Sequence, residues 1–399
     1  DMPLGFANLA RRGSIGIVAA SGSGLQEVIC LLDRWGGGIT HAIGVGGRDL
    51  SAKVRGSAMH AGLNLLVDDL DTHVIVLLSK PPDPKIAESI LASAQSSGKP
   101  VVVCFLGLTT DLQAGENVFQ ARTLEEAACL AMRLAELPEP TIENQVSQSM
   151  PTDGTGATQY VRGLFSGGTL AYEAMLILTA SLGPVYSNTP LDPAYKLEKG
   201  QTVAAHTVLD LGTEEYTTGV PHPMIDGRFR SELIADAGSD PLTRVILLDV
   251  LLGLGSDANP VASIAPGIRR ALDAAASAGR NLFIIASVTG TQKDPQCYEK
   301  QVKNLTDLGV EVYQSNAAAA QQAARVIIDP GDHPSGGKID GCDQIAENEA
   351  TTGQPYPKNE PFSKENIIVN VGLRKFATDL HSAGFLVVDK GWRPPHQGD

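Results

Sequence analysis

Apolar positions along the chain fall into two alternating rhythms. Short continuous runs at residues 14–20, 39–45, 73–78 and 100–106 have the length and β-branched content of strands buried on both faces of a parallel sheet. Between them the apolar spacing becomes helical. Leu25, Val28, Ile29 and Leu32 share one face of a helix that Gly36-Gly37-Gly38 stops, and further helices are expected over residues 59–66 and 85–95. Strand and helix keep alternating, which is the pattern of a parallel α/β sheet.

The same order returns in the second half with insertions. A strand at 160–165 precedes a helix at 170–182, and an irregular loop fills 183–201. Residues 206–211 then take the place of 41–46, 245–250 that of 74–79, 279–286 that of 98–105, and 316–326 that of 124–132. A repeat of this length far exceeds solenoid periods, so it reads as two copies of a whole domain. The expected division is a first domain at 1–137, a linker rich in Pro, Thr, Gln and Gly at 138–158, and a second domain at 159–329. An exposed connector at 330–363 follows, and a strand-helix-strand unit at 364–399 is expected to complete the edge of the second sheet.

Each repeat carries a small-residue turn between its first strand and first helix. The first is Ser21-Gly22-Ser23-Gly24, and the second, about 146 positions later, is Gly167-Gly168-Thr169. Such a turn leaves the first helical N–H groups unpaired at the positive end of the helix dipole, and Ser or Thr hydroxyls add donors. Taken alone it reads either as an anion site or as a corner that needs glycine only for sharpness. Its duplication favours the anion site.

Composition narrows the field. With 43 % hydrophobic and 19 % charged residues, 42 glycines and 24 prolines, the chain is a globular α/β protein with many turns rather than a disordered one. A net charge of −14 argues against nucleic acid as a partner. The 5 cysteines are odd in number and lack C-x-x-C spacing, so no metal site or disulfide framework is expected and a reducing cytoplasm fits best. No apolar run reaches the roughly 18 residues of a membrane span. No secretion signal is visible, although the abrupt start leaves room for a missing upstream segment.

Four polar clusters sit at strand ends, where open α/β sheets bind ligands. Gly46-Gly47-Arg48-Asp49 either sets a guanidinium over an anion or forms a surface turn. Lys80, before Pro81 and Pro82, reads as a solvated lysine in preference to a site residue. His222, held between Pro221 and Pro223 and followed by Asp226, Arg228 and Arg230, is a candidate for charge neutralisation or proton transfer. Thr289-Gly290-Thr291 is a hydroxyl-rich turn with weak specificity. No phosphate loop of P-loop type, no nucleophile elbow and no H-E-x-x-H pair is present.

Together these motifs resemble the FdrA family, a branch of the succinyl-CoA synthetase-like ligases. The resemblance is carried by Gly44-Val45-Gly46-Gly47-Arg48-Asp49, Ser79-Lys80-Pro81-Pro82, Pro221-His222-Pro223-Met224-Ile225-Asp226, Thr289-Gly290-Thr291 with Asp294-Pro295, and Gly372-Leu373-Arg374. It implies two tandem flavodoxin-like parallel-sheet domains whose helix N-termini face a phosphate, with Ser21, Gly22, Ser23, Gly24, Gly167, Gly168 and Thr169 at those positions. The ligases carry a phosphorylatable histidine after the strand matching 101–106, and here no histidine lies between His73 and His206. The resemblance also places a CoA-binding domain upstream and nucleotide chemistry on another chain. The implied activity is carbamoyl transfer from oxalurate to phosphate within a hetero-oligomeric complex, without a resident cofactor. In it the glycine turns with Gly46, Gly47, Thr289, Gly290 and Thr291 hold phosphate and substrate, while His222, Arg48 and Asp226 act on them. The alternatives are an acyl-CoA synthetase subunit, which alone would use CoA, and a non-catalytic assembly subunit.

Overall fold

Alternating burial along the strands dictates the layering. On the strand over residues 12–19, Ile15, Ile17 and Ala19 join one apolar core and Val18 joins another. That strand is therefore covered on both faces. The computed structural model describes residues 5–108, 115–138, 159–328, 367–370, 374–382 and 384–389.

The first unit runs β1 (Arg12–Ala19), α1 (Gly22–Arg34), β2 (Ile39–Gly44), α2 (Ser57–Asp68), β3 (Val74–Ser79), α3 (Pro84–Gln95), β4 (Val101–Phe105), β5 (Val118–Gln120) and α4 (Leu124–Leu134). Its strands are all parallel, in the order β2-β1-β3-β4-β5. The second unit runs β6 (Tyr160–Phe165), α5 (Gly168–Leu182), β7 (Val185–Tyr186), β8 (His206–Asp210), α6 (Glu214–Thr217), α7 (Arg228–Ser239), β9 (Thr243–Leu251), α8 (Pro260–Ser277), β10 (Phe283–Thr289), α9 (Tyr298–Thr306), β11 (Glu311–Tyr313) and α10 (Asn316–Ile328). Its order is β11-β10-β9-β6-β8-β7, again parallel. Without the added edge strand β7, the two orders are the same 2-1-3-4-5 winding, the flavodoxin-like one. The duplication read from the sequence is thus a duplication of topology.

The last unit departs from expectation. β12 (Ile367–Asn370) and β13 (Leu386–Asp389), joined through α11 (Arg374–Ser382), pair with each other in a separate two-stranded parallel sheet. They do not extend the second sheet. Apart from Pro138, the expected linker at 138–158 and the connector at 330–363 lie outside the described residues.

One core joins the two domains. Val28, Leu31 and Leu32 of α1 and Ala127, Ala128 and Ala131 of α4 pack with Ala171, Ala174 and Met175 of α5 and with Ala319, Ala320 and Ala323 of α10. These small residues let the four helices sit close between the sheets. Each fully buried leucine here contributes roughly 1.5–3 kcal/mol. On the outer faces, α2 and α3 cover the first sheet through Met59, Leu63 and Ile90, and α7, α8 and α9 cover the second through Ile234, Ile264, Ile268 and Leu305. α7 and α8 cross at glycines: a Cβ on Gly267 would stand 2.0 Å from the Ser231 carbonyl oxygen.

Polar groups inside the shared core exchange caps between domains. Glu27 of α1 accepts from the Asn316 N–H at the start of α10 (3.0 Å) and from the Thr289 hydroxyl. Glu173, at the matching place on α5, accepts from the Leu124 N–H at the start of α4 (2.7 Å) and from Asn316 Nδ2 (2.7 Å). The first helix of each domain therefore caps the last helix of the other. Burial pushes the carboxyls of Glu173 and of neighbouring Glu125 up to about 7 and raises that of Glu27. One Glu125 oxygen is buried without a hydrogen-bond partner.

Candidate functional site

The helices α1 and α5 both begin at strand ends and bring their N-termini together. Ser21 is the N-cap of α1, and its hydroxyl accepts from Gly24 N–H (3.0 Å) while donating to Thr169 Oγ1 (2.7 Å). The Thr169 N–H donates to Ser23 Oγ (3.2 Å). The two glycine turns read from the sequence thus meet across the domain boundary, but they are not equivalent.

The second turn already holds an anion, and the anion is the protein's own. The N–H groups of Ser166 and Gly167 donate to the two carboxylate oxygens of Asp249 at 2.8 and 2.7 Å. Asp249 is fully buried at the end of β9 and pairs with Arg230 at 2.8 Å. Arg230 also donates to the Ser166 hydroxyl and the Leu164 carbonyl. Gly168 lies so close to a second carboxylate that a Cβ there would stand 2.4 Å from Asp210 Oδ2. A phosphate at Gly167, Gly168 and Thr169 would meet two carboxylates, so that expectation is corrected. Asp249 is on the inner face of β9 between Leu247 and Leu251, where the first domain has Leu78.

The first turn remains open. Gly22 is exposed with free space where a side chain would be, and among the described residues no carboxylate reaches its N–H or that of Ser23. Gly47 approaches the turn: its Cβ position is 3.8 Å from the Ala20 carbonyl oxygen. Gly46 has φ of 81°, the left-handed region where glycine is favoured. Arg48 is exposed beside it, and its guanidinium bonds nothing among the described residues. Asp49 instead turns inward, accepting from the N–H groups of Ala58 and Met59 at the start of α2.

Between the domains lies a cluster of titratable groups. Lys80, just past β3, places its ammonium 5.5 Å from the centroid of the Tyr172 ring on α5. Burial lowers the Lys80 pKa from the usual lysine range, with the charge of Asp210 opposing, and burial raises that of Asp210. Asp210 accepts from the Gly212 N–H (3.0 Å), and a Cβ on Gly212 would stand 2.6 Å from His222 Nε2. His222 Nδ1 accepts from the Met224 N–H (3.2 Å), so in the neutral ring the proton is on Nε2. Burial holds its pKa below the usual histidine range. His222 Nε2 and the Ser166 carbonyl, just before the second turn, both crowd the same side of Gly212.

Other expected site residues have structural partners. Asp226 binds the exposed Arg228 guanidinium and caps α7 through the Arg228 N–H (3.0 Å). Its pKa is lowered by that arginine. Thr289 donates its hydroxyl to Glu27, and Thr291 donates to the Leu9 carbonyl (2.7 Å). The Gly290 carbonyl accepts from Arg34 (2.8 Å). With both hydroxyl protons committed, Thr289-Gly290-Thr291 is a clasp that ties α1 and the segment at 6–9 to the second domain, not an anion site. Asp210, Asp249 and Tyr172 were not among the expected site residues, and Arg230, noted beside His222, pairs with Asp249. The available signal was an aspartate closing or interrupting an otherwise apolar run, at 206–210 and 245–251. Among the described residues no group of acidic, histidine and cysteine side chains is arranged for a metal, and no helix is long and apolar enough to cross a membrane.

Comparison with known proteins places these observations in context. Residues 164–326 match the family model described as CoA-ligase, and residues 10–107 match the model described as CoA binding domain. The chain is 39% identical over 327 residues to the uncharacterized protein YahF of Escherichia coli (strain K12), covering 81% of this chain and 64% of that one. It thus spans just under two thirds of that relative. Among solved structures it is similar to a dinucleotide-forming acetyl-coenzyme A synthetase 1 from Ca. Korarchaeum cryptofilum in complex with phosphate and ADP, at 14% identity and a TM-score of 0.26, covering 80% of this chain and 65% of that one. It is also similar to an ATP citrate lyase from Methanothrix soehngenii in complex with citrate and coenzyme A, at 12% identity and a TM-score of 0.25, covering 89% and 57%. Scores this low carry no argument about the site. A CoA-binding domain was expected upstream, and its model matches the first unit instead. The chain therefore joins a unit that matches the CoA binding domain model to a unit that matches the CoA-ligase model, each built on its own parallel sheet.

Proposed function

We propose that the chain transfers an acyl group between phosphate and the thiol of CoA, as an acid-thiol ligase or acyl-CoA synthetase subunit. The observation that carries this reading is the asymmetry of the facing turns: the first is open to an anion, while the second is closed by Asp249. The domain matches support CoA-ligase chemistry over carbamoyl transfer from oxalurate, which finds no counterpart in them.

On this reading the phosphoryl oxygens of an acyl phosphate bind the N–H groups of Gly22 and Ser23, with Gly46, Gly47 and Arg48 alongside. The thiol sulfur attacks the acyl carbon, the bond from that carbon to the phosphate oxygen breaks, and phosphate leaves with the electron pair toward the positive end of α1. The thiol proton passes to solvent. Without a histidine at residues 101–108, the phosphoryl group is not relayed through a side chain there.

The test is acyl-CoA formation from acetyl phosphate and CoA, run beside calorimetric binding of inorganic phosphate to wild type and Gly22→Val. Acyl transfer and phosphate binding that both fall about tenfold or more in Gly22→Val are expected. Phosphate binding unchanged by that substitution would remove the basis of the reading.

A further inference from the structure

We propose that Lys80 and Tyr172 form an oxyanion-binding subsite across the domain boundary, which takes the carboxylate or phosphoryl oxygens of the small acid on which the chain acts. The subsite deepens the transfer reading above and rests on it for the identity of the reaction.

The argument begins with the lysine backbone. Lys80 precedes Pro81, which biases its backbone to extended conformations. The stem crosses toward the second domain, where the ammonium lies partly buried over the Tyr172 ring. An ammonium carries three donors, and partial burial strips this one of part of its water. Yet among the described residues nothing accepts a hydrogen bond from Lys80 Nζ. Asp210 favours its charge through space without bonding it.

The other bonded lysines behave differently. Lys99, also lowered in pKa by burial, donates to the Leu66 and Asp69 carbonyls at 2.8 and 2.6 Å. Lys196 and Lys199 donate to the Asn188 and Glu215 carbonyls, and Lys303 binds Asp307. Lys80 is thus a withdrawn cation held ready without an acceptor. The Tyr172 hydroxyl adds a second donor without a partner among the described residues. It lies 3.0 Å from where a Cβ on Gly107 would be, so the absence of a side chain there leaves it room. Gly107 has φ of 80°, which glycine adopts freely.

Calorimetry with two probes, inorganic phosphate and succinate, on wild type, Lys80→Met, Lys80→Arg, Tyr172→Phe and Gly22→Val tests this. Lys80→Met should weaken one of the anions about tenfold, Lys80→Arg should retain it, and Tyr172→Phe should weaken the same anion less. Which anion responds identifies the source of the oxyanion. Thermal unfolding of Lys80→Met should be unchanged or raised, because a half-buried ammonium with no hydrogen-bond partner among the described residues adds little to stability. The inference is overturned if Lys80→Met binds both probes as wild type does, or if it lowers the melting temperature as the loss of a structural ion pair would. Loss of phosphate binding in Gly22→Val with no effect of Lys80→Met would leave the transfer reading standing and this subsite refuted. Loss of succinate binding in Lys80→Met, with no acyl transfer to CoA in wild type, would do the reverse.

Discussion

Removing the carboxylate of Asp249 should both destabilise the protein and open the second glycine turn. The residue is 0% exposed and its partner Arg230 has a side chain 4% exposed. Asp249→Ala therefore leaves a buried guanidinium uncompensated, at a cost of about 3–5 kcal/mol. It also strips the acceptor from two N–H groups at the start of α5. Urea unfolding followed by tryptophan fluorescence would measure the loss. The vacated position keeps its donors, so formate should rebind there and restore stability by about 1.4 kcal/mol at ten times its dissociation constant. Asp249→Asn, which retains one acceptor, should lose less and respond less to formate. A loss below about 1 kcal/mol, or stability indifferent to formate in Asp249→Ala, would refute the view that this carboxylate fills an anion site.

Three further outcomes are expected. Glu125 titrates near 7 in the fold, above the ordinary 4.5, so its contribution is fully present below about pH 4.5 and is lost as pH rises through 7. Glu125→Gln should match wild type in thermal unfolding at pH 5 and exceed it at pH 8, by at most about 3 kcal/mol; equal stability at pH 8 would count against the shift. The Ser315 hydroxyl and Arg34 oppose this shift and Glu27 reinforces it, so Glu27→Gln should reduce it. His222→Asn can keep the acceptor for the Met224 N–H but lacks the Nε2 donor, so it should keep the melting temperature and lower acyl transfer, whereas a fall in melting temperature alone would make His222 a loop anchor. Gly267→Ala should destabilise by about 1–3 kcal/mol in chemical denaturation, since its methyl would meet the Ser231 carbonyl; no loss would mean that α7 and α8 can move apart freely.

Much of the fold was legible because it is written locally. Buried strands announce themselves as apolar runs, and the turns at Ser21 and Gly167 announce helix starts. The site was less so. Whether a turn is open or filled depends on residues far along the chain: Asp249 is 82 positions from Gly167. Thr289 and Thr291 have the chemistry of an anion turn, and only the contacts with Glu27 and Leu9, 262 and 282 positions away, reveal them as a clasp. Lys80 reads as solvated until the second domain covers it. The strand-helix-strand at the end of the described chain was legible as elements, but its pairing partner was not, since period alone does not say which sheet a strand joins.

The exchanged caps of Glu27 and Glu173 have the form of an isologous contact, in which residue i of one copy meets residue j of the other and the reverse holds as well. A symmetric dimer must change both copies of such a contact at once. Here the two copies are written separately in one chain, so matching positions are free to differ, as where the first domain has Leu78 and the second has Asp249. One chain can thus hold an open turn in one domain and a turn filled by its own carboxylate in the other, a division of labour that no pair of identical subunits could hold.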